Sequence, residues 1–203
     1  MNQKKDMIMR FISLAACALA GVFSAYLVQP LAAQTPEQLT FIPAGGRTLL
    51  IDVANSKPPA DELKGLLTGK RSREEWVSYF KAHGKAVPAL QRLSDKQQLT
   101  LADYLSYHMP LPGNQAPANL ARTLPKDGRD LSLDNCQGCH IITVVVTQDR
   151  TKTHWLGTMG TPSHSVIKIT PQERDELASY LELNAAIPIE QVPEALRASG
   201  ATY

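Results

Sequence analysis

Cysteine is scarce in this chain, with three in 203 residues, so a disulfide-stapled scaffold is excluded. One of the three, Cys17, lies in an N-terminal segment that reads as a targeting sequence. Cys136 and Cys139 are then the only thiols left for a mature protein, and neither serves as a structural disulfide. Charge of one sign is also lacking. The formal net charge is +2, and that excess sits in residues 1–33, where Lys4, Lys5 and Arg10 oppose Asp6. The remainder carries equal numbers of acidic and basic residues. No basic run is interleaved with aromatics, so nucleic acid is excluded as a partner. Hydrophobic residues make up 43% of the chain, enough for an ordinary globular core.

The two remaining thiols stand in Cys136-Gln137-Gly138-Cys139-His140. Two cysteines separated by two residues and followed at once by histidine have the spacing of a covalent c-type haem attachment site. The thiols meet the two vinyl groups along one porphyrin edge, and His140 is held where its imidazole can ligate the iron. A zinc site would require a second Cys/His pair, which is absent. A thioredoxin-like pair would lie in a βαβ pattern, also absent.

Residues 1–33 read as a signal peptide or a membrane anchor. A basic start precedes an uncharged apolar run from Phe11 to Val28, and Leu31-Ala32-Ala33 offers a small-residue cleavage site. The run is long for a signal core and barely reaches the roughly 20 residues of a membrane span. Cleaved export and an uncleaved anchor through residues 11–28 both remain open. Either one places the rest of the chain outside the cytoplasm, where a chain retaining only two thiols at this spacing is most simply explained by thioether chemistry.

A pattern beginning at Gly46 returns about eighty residues later, the signature of a tandem duplication. Gly46-Arg47-x-Leu49-x-Ile51 matches Gly128-Arg129-x-Leu131-x-Leu133, and Arg71 with Trp76 matches Arg150 with Trp155. Ser94-x-x-Gln97 matches Thr170-x-x-Glu173, while Leu101, Ala102, Tyr104 and Leu105 match Leu177, Ala178, Tyr180 and Leu181. Both copies end in a helix with a capping box, Ser94/Gln97 or Thr170/Glu173, and an apolar face at three- and four-residue spacing. Another capping box, Ser72-x-x-Glu75, predicts a helix over 72–82 with Trp76 and Phe80 on one face. The expected organisation is a first domain over 34–113, a linker over 114–125 and a second domain over 126–203. The β-branched run Ile141 to Val146 could form a short strand, but beside the CxxCH motif it is expected to pack its apolar side chains against a porphyrin.

Aligned on the Arg-Trp pair, Cys136, Cys139 and His140 fall opposite Lys57, Ala60 and Asp61. The first copy therefore has no attachment site, and one haem c is expected, in the second copy only. The second axial ligand is expected from Met159, flanked by Gly157 and Gly160, which let the backbone approach a flat macrocycle. His164 is the alternative and His154 is expected to be exposed. Met159 falls opposite Phe80, so the copy lacking the motif lacks the thioether as well. Trp155 and Arg150 fit either a haem edge or, since copy one keeps Trp76, the core of the fold.

The CxxCH motif, the downstream methionine, the capped final helix and the Arg150-x4-Trp155-x3-Met159 pattern resemble class I c-type cytochromes, in particular the tandem modules of periplasmic dehydrogenase subunits. The likeness covers about residues 126–190, with 44–112 as a degenerate copy. It implies an all-α fold of two tandem cytochrome c-like domains and His140/Met159 ligation. It also implies one-electron transfer rather than enzymatic catalysis, with a redox protein such as a periplasmic dehydrogenase or oxidase as partner. The chain departs from the family in the short segment before Cys136, which leaves little of the usual N-terminal helix. A haem enzyme or gas-binding sensor with an open distal site is the alternative function.

Overall fold

A computed structural model of the chain describes residues 36–112 and 119–197. The targeting segment expected over 1–33 lies outside these residues. The described residues belong to one contiguous unit beginning at Thr35, and among them the only regular structure is helical. No described helix is long and apolar enough to cross a membrane.

The first module comprises α1 (Gly46–Asn55), α2 (Ala60–Thr68), α3 (Arg73–His83), the single turn α4 (Pro88–Gln91) and α5 (Asp95–His108). A short α6 (Leu120–Thr123) precedes the second module, made of α7 (Gly128–Cys136), α8 (Ile142–Val146), α9 (Lys152–Met159) and α10 (Pro171–Asn184). The capping boxes form as their spacing predicts. Ser72 and Glu75 exchange hydrogen bonds at the start of α3, as do Ser94 and Gln97 at α5 and Thr170 and Glu173 at α10. Each box satisfies two otherwise orphaned backbone donors and sets where its helix begins.

The duplication is structural. Gly46 on α1 lies under Tyr104 of α5, and Gly128 on α7 lies under Tyr180 of α10; a Cβ at either glycine would overlap the Cβ of its tyrosine. Leu111 N–H donates to the Leu67 carbonyl at 3.0 Å in the first module, and Ile187 N–H donates to the Val146 carbonyl at 3.0 Å in the second. Arg71 covers the Trp76 ring at 4.6 Å and Arg150 covers Trp155 at 5.2 Å. This pair is thus part of the scaffold in both modules.

Two apolar cores result. One is centred on Leu50, Leu66, Trp76, Leu101 and Leu105, and the other on Ile142, Trp155, Leu177 and Leu181. The segments leading into the modules are exchanged. Leu39 and Ile42 pack into the second core, whereas Leu120 and Leu124 pack into the first. The hydroxyls of the paired tyrosines record the same exchange: Tyr104 donates to the Pro125 carbonyl at 3.0 Å and Tyr180 to the Pro43 carbonyl at 2.6 Å. Residues 119–125, expected as linker, thus form part of the first core. Between the modules, α5 packs on α10 through paired polar contacts, His108 with Glu176 at 2.8 Å and Asn184 with Thr100 at 3.0 Å. Asp127 joins the two helix N-termini, accepting from Asp130 N–H at 2.9 Å and from Arg47 N–H at 2.9 Å. Gly45 makes room for this carboxylate, because a Cβ there would overlap it.

The run Ile141 to Val146 forms no strand; residues 142–146 are the helix α8. Ile142, Val145 and Val146 are buried at helical spacing, and that packing overrides the β preference of their branched side chains. The short segment before Cys136 holds the nine-residue helix α7, begun by Asp127 and Asp130 and running to Cys136 itself.

Candidate functional site

The CxxCH segment is set by the end of α7. Beyond Cys136 the chain turns back on that helix, with Cys139 N–H and His140 N–H both donating to the Cys136 carbonyl at 3.3 and 3.0 Å. Gln137 and Gly138 complete the turn, and a side chain at Gly138 would meet open space. Cys136, Cys139 and His140 thereby border one cleft of about 570 Å³, within the range of small-molecule and cofactor sites. Its other walls include Val145, Trp155, Met159, His164 and Val166, contributed by α8, α9 and the segment leading to α10.

Both cysteines are free thiols. Burial first, and the neighbouring Cys139 second, push the Cys136 thiol up to about 11. A thiol kept protonated at neutral pH is the opposite of the lowered value that activates a redox CxxC pair. Nor is there, among the described residues, a group of three or more His, Cys, Asp or Glu side chains placed to hold a metal ion. Haem places a different demand on the protein, because the macrocycle supplies four of the iron's ligands and the chain needs only the axial ones.

The residues present fit such a group. The cleft is largely apolar, and beside it stand the large hydrophobic side chains most exposed among the described residues, Val166 at 63% and Ile141 at 38%. A bound macrocycle would give this surface an apolar partner. Cys139 and His140 are exposed, so the attachment edge faces outward. The unpartnered indole N–H of Trp155 carries no information about a ligand, because Trp76 in the other module equally lacks a partner.

The structure brings together every site residue expected from the sequence. Cys136, Cys139, His140 and Met159 line the one cleft, with the alternative ligand His164. His154 is exposed. Met159 is only 6% exposed and belongs to the second core, as its counterpart Phe80 belongs to the first. The His140 and His164 ring centroids lie 6.2 Å apart. Arg150 donates to Thr158 Oγ1 at 2.9 Å and lies over Trp155.

At the aligned positions of the first module stands a bonded side-chain cluster. The Arg71 guanidinium lies 4.6 Å from the Trp76 ring and 4.4 Å from that of Tyr79. Tyr79 stacks on His83 at 3.9 Å, and both reach Glu62, through the Tyr79 hydroxyl at 3.1 Å and His83 Nδ1 at 2.8 Å. Burial, then the Glu62 hydrogen bond, pushes the Tyr79 hydroxyl up to about 12, keeping it a neutral donor. Sequence reasoning missed this network, although the departure of Tyr79 and Glu62 from their counterparts Thr158 and Ile141 was visible in the aligned copies. Searches for relatives gave no match to any family model, curated protein or solved structure.

Proposed function

We propose that the protein is an exported monohaem c-type cytochrome that carries single electrons to or from a redox protein partner such as a periplasmic dehydrogenase or oxidase. The reading makes both modules cytochrome c-like, with haem c in the second only. The observation that carries it is the shared cleft of Cys136, Cys139 and His140, open on one edge and apolar within. In forming the attachment, each thiol S–H adds across one vinyl double bond, its sulfur to one carbon and its hydrogen to the other, with no oxidant consumed. His140 would supply one iron ligand and Met159 or His164 the other, all three lining the same cleft. Bound there, the group would supply a reversible ferric/ferrous couple.

The chain's own part is to anchor, orient and exclude water. Trp155, Val145 and Leu181 line the inner wall, lowering the local dielectric and raising the cost of a charge change at the iron. The exposed Cys139 edge leaves a port through which an electron can pass to a docked partner. The first module, with its cofactor space filled, serves as a docking or spacing domain. Export depends on residues 1–33, with retention at the inner membrane through residues 11–28 as the uncleaved form.

A haem enzyme or gas sensor would keep a distal position vacant. Expression with a c-type haem maturation system, followed by redox titration and exposure of the reduced protein to carbon monoxide, separates the two. A single reversible one-electron wave with slow or absent CO binding is expected. Rapid CO binding to a high-spin ferrous form would overturn the carrier reading.

A further inference from the structure

We infer that His164, and not Met159, is the distal ligand, so that the iron is held between two imidazoles; the inference rests on the haem reading above. The His140 and His164 ring centroids lie 6.2 Å apart, with the ring planes 30° from parallel. That is well beyond the 3.9 Å at which Tyr79 and His83 stack in the first module. Two metal–imidazole bonds of about 2 Å, each extended by roughly 1 Å from nitrogen to ring centre, give centroids about 6 Å apart.

The hydrogen bonds around His164 orient it for this role. Thr161 Oγ1 donates to the Thr158 carbonyl at 2.9 Å, so toward His164 Nδ1, 2.8 Å away, its oxygen acts as acceptor. In the tautomer with the proton on Nδ1, that nitrogen donates to Thr161 Oγ1 and Nε2 keeps its lone pair. Metal-ligating histidines are held in this way, with the second nitrogen donating to a fixed oxygen. Ser163 Oγ stands 2.9 Å from Thr161 Oγ1 and 3.3 Å from His164 Nδ1, so both hydroxyls hold the same ring nitrogen.

Met159 has an explanation that needs no metal. Its counterpart Phe80 is 2% exposed in the module without an attachment site, and Met159 is 6% exposed in the equivalent core position. Both side chains fill apolar space beneath the paired tryptophans, so the exchange of Phe for Met requires no ligand role. Aligned on the same Arg-Trp pair, His164 falls opposite Lys85. The module lacking the proximal imidazole therefore lacks the distal one as well.

The test is the near-infrared magnetic circular dichroism and electron paramagnetic resonance of the ferric holoprotein. The expected result is a low-spin bis-imidazole signature without the charge-transfer band of iron–thioether ligation. H164A is expected to lose that signature and to regain it on addition of free imidazole, whereas M159L is expected to retain it. An iron–thioether band in the unsubstituted protein, or a low-spin H164A spectrum unchanged from the parent, would overturn the inference. If H164A does not accumulate, the spectrum of the unsubstituted protein decides. A chain carrying no covalent haem after maturation fails earlier and differently, because it removes the haem reading itself and the inference with it.

Discussion

The two modules share a scaffold and differ where a cofactor would lie. In the first, Tyr79, His83 and Glu62 form a bonded cluster beside Arg71 and Trp76. In the second, the aligned positions are Thr158, Pro162 and Ile141, and a cleft of about 570 Å³ opens beside the equally paired Arg150 and Trp155. The same helices, caps and glycine–tyrosine contacts therefore support either a filled or an open space. At the aligned position the first module carries the Tyr79 ring on α3 and the second the Thr158 hydroxyl on α9. The first module keeps an apolar core of its own, with Tyr79 and His83 both bonded to Glu62 beside it.

The largest effect should come from moving that ring. T158Y places an aromatic side chain where the first module has Tyr79, and the haem-to-protein ratio after maturation should fall several-fold while far-ultraviolet circular dichroism stays helical. Undiminished loading would mean that the ring is not what closes the first module. Next in size is W76A. Trp76 is fully buried, and truncating a buried aromatic costs about 3–5 kcal/mol. Denaturant unfolding should show that loss, with the haem spectrum of the folded fraction unchanged. A shifted spectrum would break the functional separation of the modules.

The symmetry of the scaffold can be tested at its two closest approaches. G46A and G128A each drive a methyl group into a tyrosine Cβ, and overpacking of this kind costs about 1–3 kcal/mol. Comparable midpoint shifts are expected; an effect at only one site would show that the duplication is not carried at the level of packing. The smallest effect concerns Glu176. Burial raises its carboxyl above the usual range even though His108 pulls the other way. The unfolded chain therefore ionises first as pH rises. The stabilising contribution of this group is present below the ordinary carboxylate value and is lost as pH climbs through the raised one. E176Q removes that dependence, so the stability of the parent relative to the variant should decline as pH rises above the ordinary carboxylate value and through the raised one.

Much of this was legible in the sequence, because the decisive signals are local. The capping boxes at Ser72, Ser94 and Thr170 fix where helices begin, and the Arg-Trp pairs align the copies well enough to show what the first one lacks. The candidate triad Cys136, Cys139 and His140 is a spacing, and spacing is what a sequence shows directly. What escaped was tertiary. Ile142, Val145 and Val146 have branched side chains suited to a strand, yet their burial against the second core selects a helix. The exchange of Leu39 and Ile42 for Leu120 and Leu124 between cores leaves no periodic trace in segments this short. The facing of His140 and His164 depends on a turn at Thr161–His164, closed by a side-chain hydrogen bond that no local pattern specifies.

The central claim, one covalent haem in the second module and none in the first, is tested most directly by intact mass spectrometry of the denatured protein after c-type maturation. The account predicts the polypeptide plus a single haem, with the addition abolished in the double variant C136A/C139A. An unmodified polypeptide mass, or haem still bound covalently in the double variant, would contradict it.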